Sequence, residues 1–278
     1  MPRPDLSQPD PVVLLHSSGA SGAQWRALAE RLSKRYRVFT PDLCGYGTAA
    51  PWSGSEPFRL AHEARIVHDL VQSIGEPVHL LGHSYGGAVA LHFARLNGAL
   101  VRSLALVEPV AFHLLDDRAE IEAVAGKVAR AVACGDFVGG FGAFVEYWSG
   151  PGSWDALPAA KRAAMAARLP KVAMEFHAVL SEVADMDAYR EINNPTLIVR
   201  GALSPRPTRR ICELLAQALP EARLVTLEGA GHMAPLTHAD QVNDLIAAHL
   251  EGGGRHEARQ PRIGRSGDLA RELRFGTR

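Results

Sequence analysis

Short apolar runs alternate with amphipathic stretches along most of the chain. Six runs of strand length stand at residues 12–15, 38–40, 78–81, 104–107, 196–199 and 224–227. They are mostly apolar instead of alternating with polar residues, which is the pattern of strands covered by helices on both faces. Between them the apolar step changes to three and four. Leu60, Ala64, Val67, Val71 and Ile74 recur in this way between Arg59 and Gly75, and Val242, Leu245, Ile246 and Leu250 do so near the end. That spacing predicts helices with one core-facing stripe. Strands and helices in regular alternation predict an α/β fold around a mostly parallel, doubly wound sheet.

The rhythm breaks once. From residue 112 to 187 there are helical patterns and glycine-rich turns but no strand-like run, which predicts a helical lid inserted between two strands. The core is then expected over 11–111 and 188–251, preceded by a short extension over 1–10. After Leu250 the chain turns to Glu251-Gly252-Gly253-Gly254 and an arginine-rich stretch ending at Arg278. With few core-forming residues, 252–278 is expected to be a disordered basic tail.

Composition narrows the function classes. Over 278 residues, 47% hydrophobic and 22% charged side chains are the balance of a globular protein able to bury a core. Thirty Lys and Arg cancel thirty Asp and Glu, so no net field draws the chain to nucleic acid or to an anionic membrane. Residues 1–10 carry three prolines and no secretory apolar run, and no long apolar stretch could span a bilayer. The expected location is the cytoplasm. Cys44, Cys134 and Cys212 are odd in number and widely spaced, which argues against a disulfide framework or a zinc site. They are expected to be small buried side chains.

The chemistry concentrates after the third run, where Gly82-His83-Ser84-Tyr85-Gly86-Gly87 leads into the helical pattern from Ala88 to Leu96. A G-x-S-x-G sequence between a strand and a helix holds its serine in a strained turn, and the flanking glycines let the two backbones pass closely. A serine hydroxyl needs a base to take its proton, and histidine is the natural one near neutrality. Of twelve histidines, His232 sits in a Gly229-Ala230-Gly231-His232 loop between an apolar run and a helix, where loops of parallel strands converge. His83 is excluded as the base because it neighbours the serine and points to the opposite side. His62 and His68 lack the four-residue spacing of a metal pair on one helix face, so metal-dependent hydrolysis is not expected. A carboxylate should orient the imidazole. Glu108 follows the run 104–107 directly and precedes Pro109, whereas the loop 201–205 after the fifth run offers no acid.

Taken together, His16-Ser17-Ser18-Gly19, Pro41-Asp42-Leu43-Cys44-Gly45-Tyr46-Gly47, the turn around Ser84 and the loop Gly229 to His232 resemble the α/β-hydrolase superfamily over residues 11–250. The resemblance implies the α/β-hydrolase fold and a serine hydrolase. Members commonly carry an aspartate in the loop after the penultimate strand, where this chain has Ser204. Glu108 is taken as the substitute. Haloalkane dehalogenases of the same fold include members with a glutamate at the matching place. Asp185 and Asp187, at the exit of the expected lid, are the next candidates. The oxyanion hole implied by the resemblance uses the amide of Tyr85 and one from the loop after the first strand. Ser18 is taken for it, with Ser17, where the family usually has glycine, as its competitor.

A serine nucleophile excludes the alkyl-enzyme chemistry of the dehalogenases and epoxide hydrolases of this fold, which needs an aspartate. Acyl chemistry on an ester, thioester or lactone is the favoured reading. Carbon–carbon bond hydrolysis, a haloperoxidase-like reaction and a catalytically silent ligand-binding chain are the others. Phe137, Phe141, Phe144, Val145 and Trp148 form an apolar stripe that would either roof a pocket or pack the lid onto the core. The packing reading is adopted, and none of the five is assigned to the site. No phosphate loop or nucleotide fingerprint occurs, so neither cofactor nor metal is expected. The expected partner is a small, largely apolar substrate.

Overall fold

A computed structural model describes residues 8–252. The basic tail and most of the N-terminal extension lie outside the described residues. All six apolar runs form strands: β1 (Pro11–Leu15), β2 (Arg37–Phe39), β3 (Val78–His83), β4 (Val101–Val107), β5 (Thr196–Gly201) and β6 (Ala222–Leu227). They make one sheet in the order β2-β1-β3-β4-β5-β6, with every pairing parallel. Parallel strands place all their carboxyl ends on one edge. The chain runs from β1 outward to β2 and then returns to the other side of β1 as β3, so the crossovers reverse there. Such a reversal opens a crevice beyond the carboxyl ends of the two strands.

Three helices separate the first four strands: α1 (Arg26–Leu32), α2 (Leu60–Ile74) and α3 (Tyr85–Leu96). Between β4 and β5 lie α4 (Ala119–Cys134), α5 (Phe137–Ser149), α6 (Ala159–Ala166), α7 (Leu169–Leu180) and α8 (Met186–Arg190). The chain then forms α9 (Arg206–Ala218), α10 (Ala234–Thr237) and α11 (Ala239–Glu251). Because side chains alternate along a strand, β1 feeds two cores. Val12 and Leu14 pack with Leu28 and Leu32 of α1 and with Val242, Ile246 and Leu250 of α11. Val13 and Leu15 face the other way, into the core shared by α2, α3 and α9, where Val67, Phe93 and Ile211 are buried. The sheet is therefore doubly wound.

Two expectations need correction. Burial on both faces holds for β1, β3, β4 and most of β5, but β2 and much of β6 are only partly buried because they are the sheet edges. Cys44 and Cys212 are buried as expected, whereas Cys134 is exposed at the last turn of α4. Among the described residues no helix is long and apolar enough to cross a membrane.

Buried charge fastens the inserted helices to the rest. Lys171 Nζ of α7 donates to Glu63 Oε1 of α2 and to Glu175 Oε1, each at 2.9 Å, and Tyr46 Oη donates to Glu175 Oε2 at 3.0 Å. Just before α7, Arg168 Nη1 donates to the Gly19 carbonyl at 2.5 Å.

Buried histidines give the fold an acid sensitivity whose sign follows from linkage. Burial lowers His79 and His113 to about 4, and burial together with the neighbouring His232 lowers His83 to about 3. From pH 6.5 downward the unfolded chain binds protons that these folded rings refuse, so stability is lost as the pH falls toward their folded values. The slope is at most about 1.4 kcal/mol per ring per pH unit. The Tm is expected to be lower at pH 5 than at pH 7.5, and His79→Gln should flatten that difference in a thermal melt. An unchanged Tm across that range would contradict the burial argument.

Candidate active site

Ser84 stands between β3 and α3 with φ 54 and ψ −116. It and Glu108, at φ 51, are the two non-glycine residues of positive φ among the described residues. Backbone strain of this kind persists only where the surroundings over-determine it. Here the flanking glycines provide the clearance. A Cβ on Gly82 would collide with the Gly86 carbonyl, and one on Gly86 would come within 2.5 Å of the carbonyl oxygens of Leu15 and His16. The turn is tied to the next strand by Ser84 N donating to Val107 O at 2.9 Å.

Glu108 directly follows β4, and its amide donates to Val199 O at 2.9 Å. The carboxylate is fully buried and meets three donors. Oε1 accepts from Gly201 N at 2.5 Å and from Ser204 Oγ at 2.7 Å, while Oε2 lies 3.0 Å from His232 Nδ1. Since a carboxylate oxygen accepts, Nδ1–H donates to it. The other ring nitrogen is then an acceptor, and Nε2 lies 2.9 Å from Ser84 Oγ. The structure thus brings Ser84, His232 and Glu108 into one hydrogen-bonded line, with all three side chains buried. Ser204 stands in the loop that offers no acid and donates to the glutamate instead. Asp185 and Asp187 are not part of this arrangement. Asp185 accepts from Ala188 N at the start of α8, and Asp187 pairs with Arg190 on an exposed surface.

The loop after β1 presents Ser17 and Ser18 beside Ser84. Ser17 is engaged elsewhere: its amide and its hydroxyl both donate to Gln24 Oε1, at 3.1 and 2.8 Å. Gln24 Nε2 is 3.1 Å from His83 Nδ1, and His83 Nε2 is 2.9 Å from the carbonyl oxygen of His232. The roles along this chain are set by chemistry. A carbonyl can only accept, so His83 Nε2–H donates to it, and the neutral ring takes the amide proton of Gln24 at Nδ1. Both His83 nitrogens are thus engaged away from the serine hydroxyl, and the ring links the loop after β1 to the loop bearing His232.

Above these groups lies a cavity of about 870 Å³. Its walls include Phe141, Phe144, Val145 and Trp148 of α5, Leu203 and Pro205 after β5, and Met233 and Leu236 after β6. The Trp148 ring lies over His232, with centroids 4.0 Å apart and planes inclined by 32°. The α5 stripe therefore lines the pocket as well as packing, which corrects the reading that left it out. Phe137, a turn earlier, does not reach the cavity but packs against the core. The periodicity showed the stripe but held no information about what it would face. Gln24 carries no sequence signal either, because its partners are 7 and 59 residues away.

A parallel sheet with this crossover order, carrying a strained serine after β3 that reaches a histidine after β6, defines an α/β hydrolase. Residues 12–245 match the alpha/beta hydrolase family, and the chain belongs to it. It is an enzyme of that family, esterase-like by its relatives. The chain is 29% identical over 250 residues to the pimeloyl-(acyl-carrier protein) methyl ester esterase of Aeromonas hydrophila, spanning 84% of this chain and 93% of that one. It is 30% identical over 260 residues to the protein of the same description from Neisseria meningitidis, spanning 89% and 96%. The crystal structure of a hydrolase from Pseudomonas aeruginosa matches it with a TM-score of 0.72 at 25% identity, covering 89% of this chain and 92% of the other.

Proposed function

We propose that the protein hydrolyses a small, largely apolar carboxylic ester through an acyl-enzyme on Ser84. The observation that carries this reading is the line from Ser84 Oγ through His232 to Glu108, opening onto a mostly apolar cavity. Ser84 Oγ attacks the ester carbonyl carbon as its proton passes to His232 Nε2. Glu108 stabilises the resulting imidazolium, and the amides of Ser18 and Tyr85 hold the oxyanion. Tyr85 is suited to this because first-turn amides of a helix have no intrahelical acceptor. Ser18 is favoured over Ser17, whose amide already donates to Gln24. The tetrahedral adduct expels an alcohol, protonated by His232, and leaves the acyl group on Ser84. Water, giving its proton to the same imidazole, then releases the carboxylic acid and restores the hydroxyl. The relatives named as methyl ester esterases support an ester over the other acyl substrates.

A fluorophosphonate probe at neutral pH tests this reading. It is expected to label the parent at Ser84, with the adduct located by peptide mass spectrometry and absent from Ser84→Ala. No labelling would point to a ligand-binding chain that keeps the fold without the reaction.

The same reading gives Gln24 a measurable part. Gln24→Ala cuts the link between the oxyanion loop and His83, so kcat is expected to fall about 10- to 100-fold through lost alignment, with KM within about 2-fold of the parent. Steady-state kinetics on one ester checks it. A rise in KM with kcat unchanged would place the effect in the cavity instead.

A further inference from the structure

The space around Ser84 is divided unequally. On one side lies the cavity of about 870 Å³. On the other, a crevice of about 20 Å³ also reaches Ser84; Ser18 and Tyr85 border it beside the serine, and Val110, Phe112, Val172, Phe176 and Val179 wall the rest. Ser18, Ser84, Phe144 and Trp148 line both spaces, so the two meet at the serine beside the Phe144 and Trp148 rings. A void needs roughly 10–15 Å³ to hold one water, so the crevice admits about one group of that size. Its walls are aromatic rings in mutual contact: Phe112 lies 6.4 Å from Phe176 and 6.3 Å from Trp148, and Phe144 lies 6.1 Å from Phe176, between centroids. Glu175 is the charged side chain in that wall. Its two oxygens are taken by Tyr46 and Lys171, which leaves no free carboxylate for a ligand.

Addition of Ser84 to an ester gives a carbon bearing the serine oxygen, an oxyanion, the acyl chain and the alkoxy group. With the oxyanion on the amides of Ser18 and Tyr85, which border the crevice, the apolar remainder of the crevice has room for one small arm and the cavity takes the other. We infer that the substrate is an ester with one arm of one or two carbon atoms, seated in the crevice, and one long apolar arm in the cavity. This rests on the ester-hydrolysing reading above. A methyl ester of a long acid and an acetate of a long alcohol offer the crevice the same small apolar group, so the two are separated by experiment.

Methyl octanoate, heptyl acetate and butyl pentanoate share one carbon count and differ in how it is divided. Acid release is followed in a pH-stat with the full chain. One of the two asymmetric esters is expected to exceed butyl pentanoate in kcat/KM by about 100-fold, since each methylene that does not fit costs about 10-fold or more. Which of the two leads identifies the short arm. Phe176→Ala, and the milder Val179→Ala should Phe176→Ala fail to fold, are expected to bring butyl pentanoate within about 10-fold of the leading ester. Near-equal rates on all three esters in the parent, or no gain for butyl pentanoate in a folded widened variant, would overturn the inference. If Ser84 takes a fluorophosphonate but none of the three esters is turned over, this inference alone fails. If the label is also absent, the hydrolytic reading fails with it.

Discussion

Replacing Ser84 with alanine is expected to lower kcat for ester hydrolysis by about a million-fold, with the fold intact. The hydroxyl is the atom that His232 Nε2 reaches at 2.9 Å, and no other hydroxyl bonds that nitrogen among the described residues. Alanine keeps the Cβ, so a turn that tolerates serine at φ 54 tolerates alanine as well. The Ser18 and Tyr85 amides and the cavity remain. Residual catalysis about 10³- to 10⁴-fold above the uncatalysed reaction is therefore expected to persist. Turnover of a soluble ester, beside a circular dichroism melt to confirm folding, checks both points. Activity within about 100-fold of the parent would place the nucleophile elsewhere.

Glu108→Gln is expected to cost about 10⁴-fold in kcat, by proton placement more than by lost charge. The amide oxygen can go on accepting from Gly201 N and Ser204 Oγ, which now donate to Glu108 Oε1. The amide nitrogen then faces His232 Nδ1 and presents a proton where the carboxylate took one. The ring answers by carrying its own proton on Nε2, so it meets the Ser84 hydroxyl with a donor and cannot act as its base. Asp185→Asn and Asp187→Asn are expected to stay within about 3-fold, because surface changes away from the chemistry have small effects. The three variants, assayed side by side on one ester, decide which carboxylate serves the histidine. A loss for Asp185→Asn as large as that for Glu108→Gln would refute the assignment.

Much of the fold was legible because each strand announced itself locally. A run such as Val78 to Leu81 is apolar at three of its four positions, and the glycines that follow it are required by a close backbone approach that any such turn makes. Glu108 was legible for a related reason: a charged residue between a buried strand and Pro109 has to emerge at the strand's end. What stayed hidden depends on contacts between distant segments. Trp148 belonged to a visible stripe, but its place over His232 follows from how α5 lies across the sheet. Ser204 reads as the lack of an acid, yet its hydroxyl holds the acid supplied by another strand. Gln24 joins two loops through an amide whose neighbours in sequence say nothing of it. The partial exposure of β2 and β6 was illegible because a strand's own residues do not reveal that it lies at an edge.

Lys171 gives the inserted helices a consequence for how molecules come and go. Swinging α7 off α2 would take the ammonium away from Glu63, whose carboxylate is wholly shielded from solvent and otherwise accepts from Cys44 N. Stranding one buried charge in this way costs about 3–5 kcal/mol. At about 1.4 kcal/mol per tenfold, that holds the swung-out form to roughly one molecule in a thousand. α7 is therefore expected to stay seated on α2 while molecules come and go, leaving exchange to the parts of the rim that no buried charge clamps.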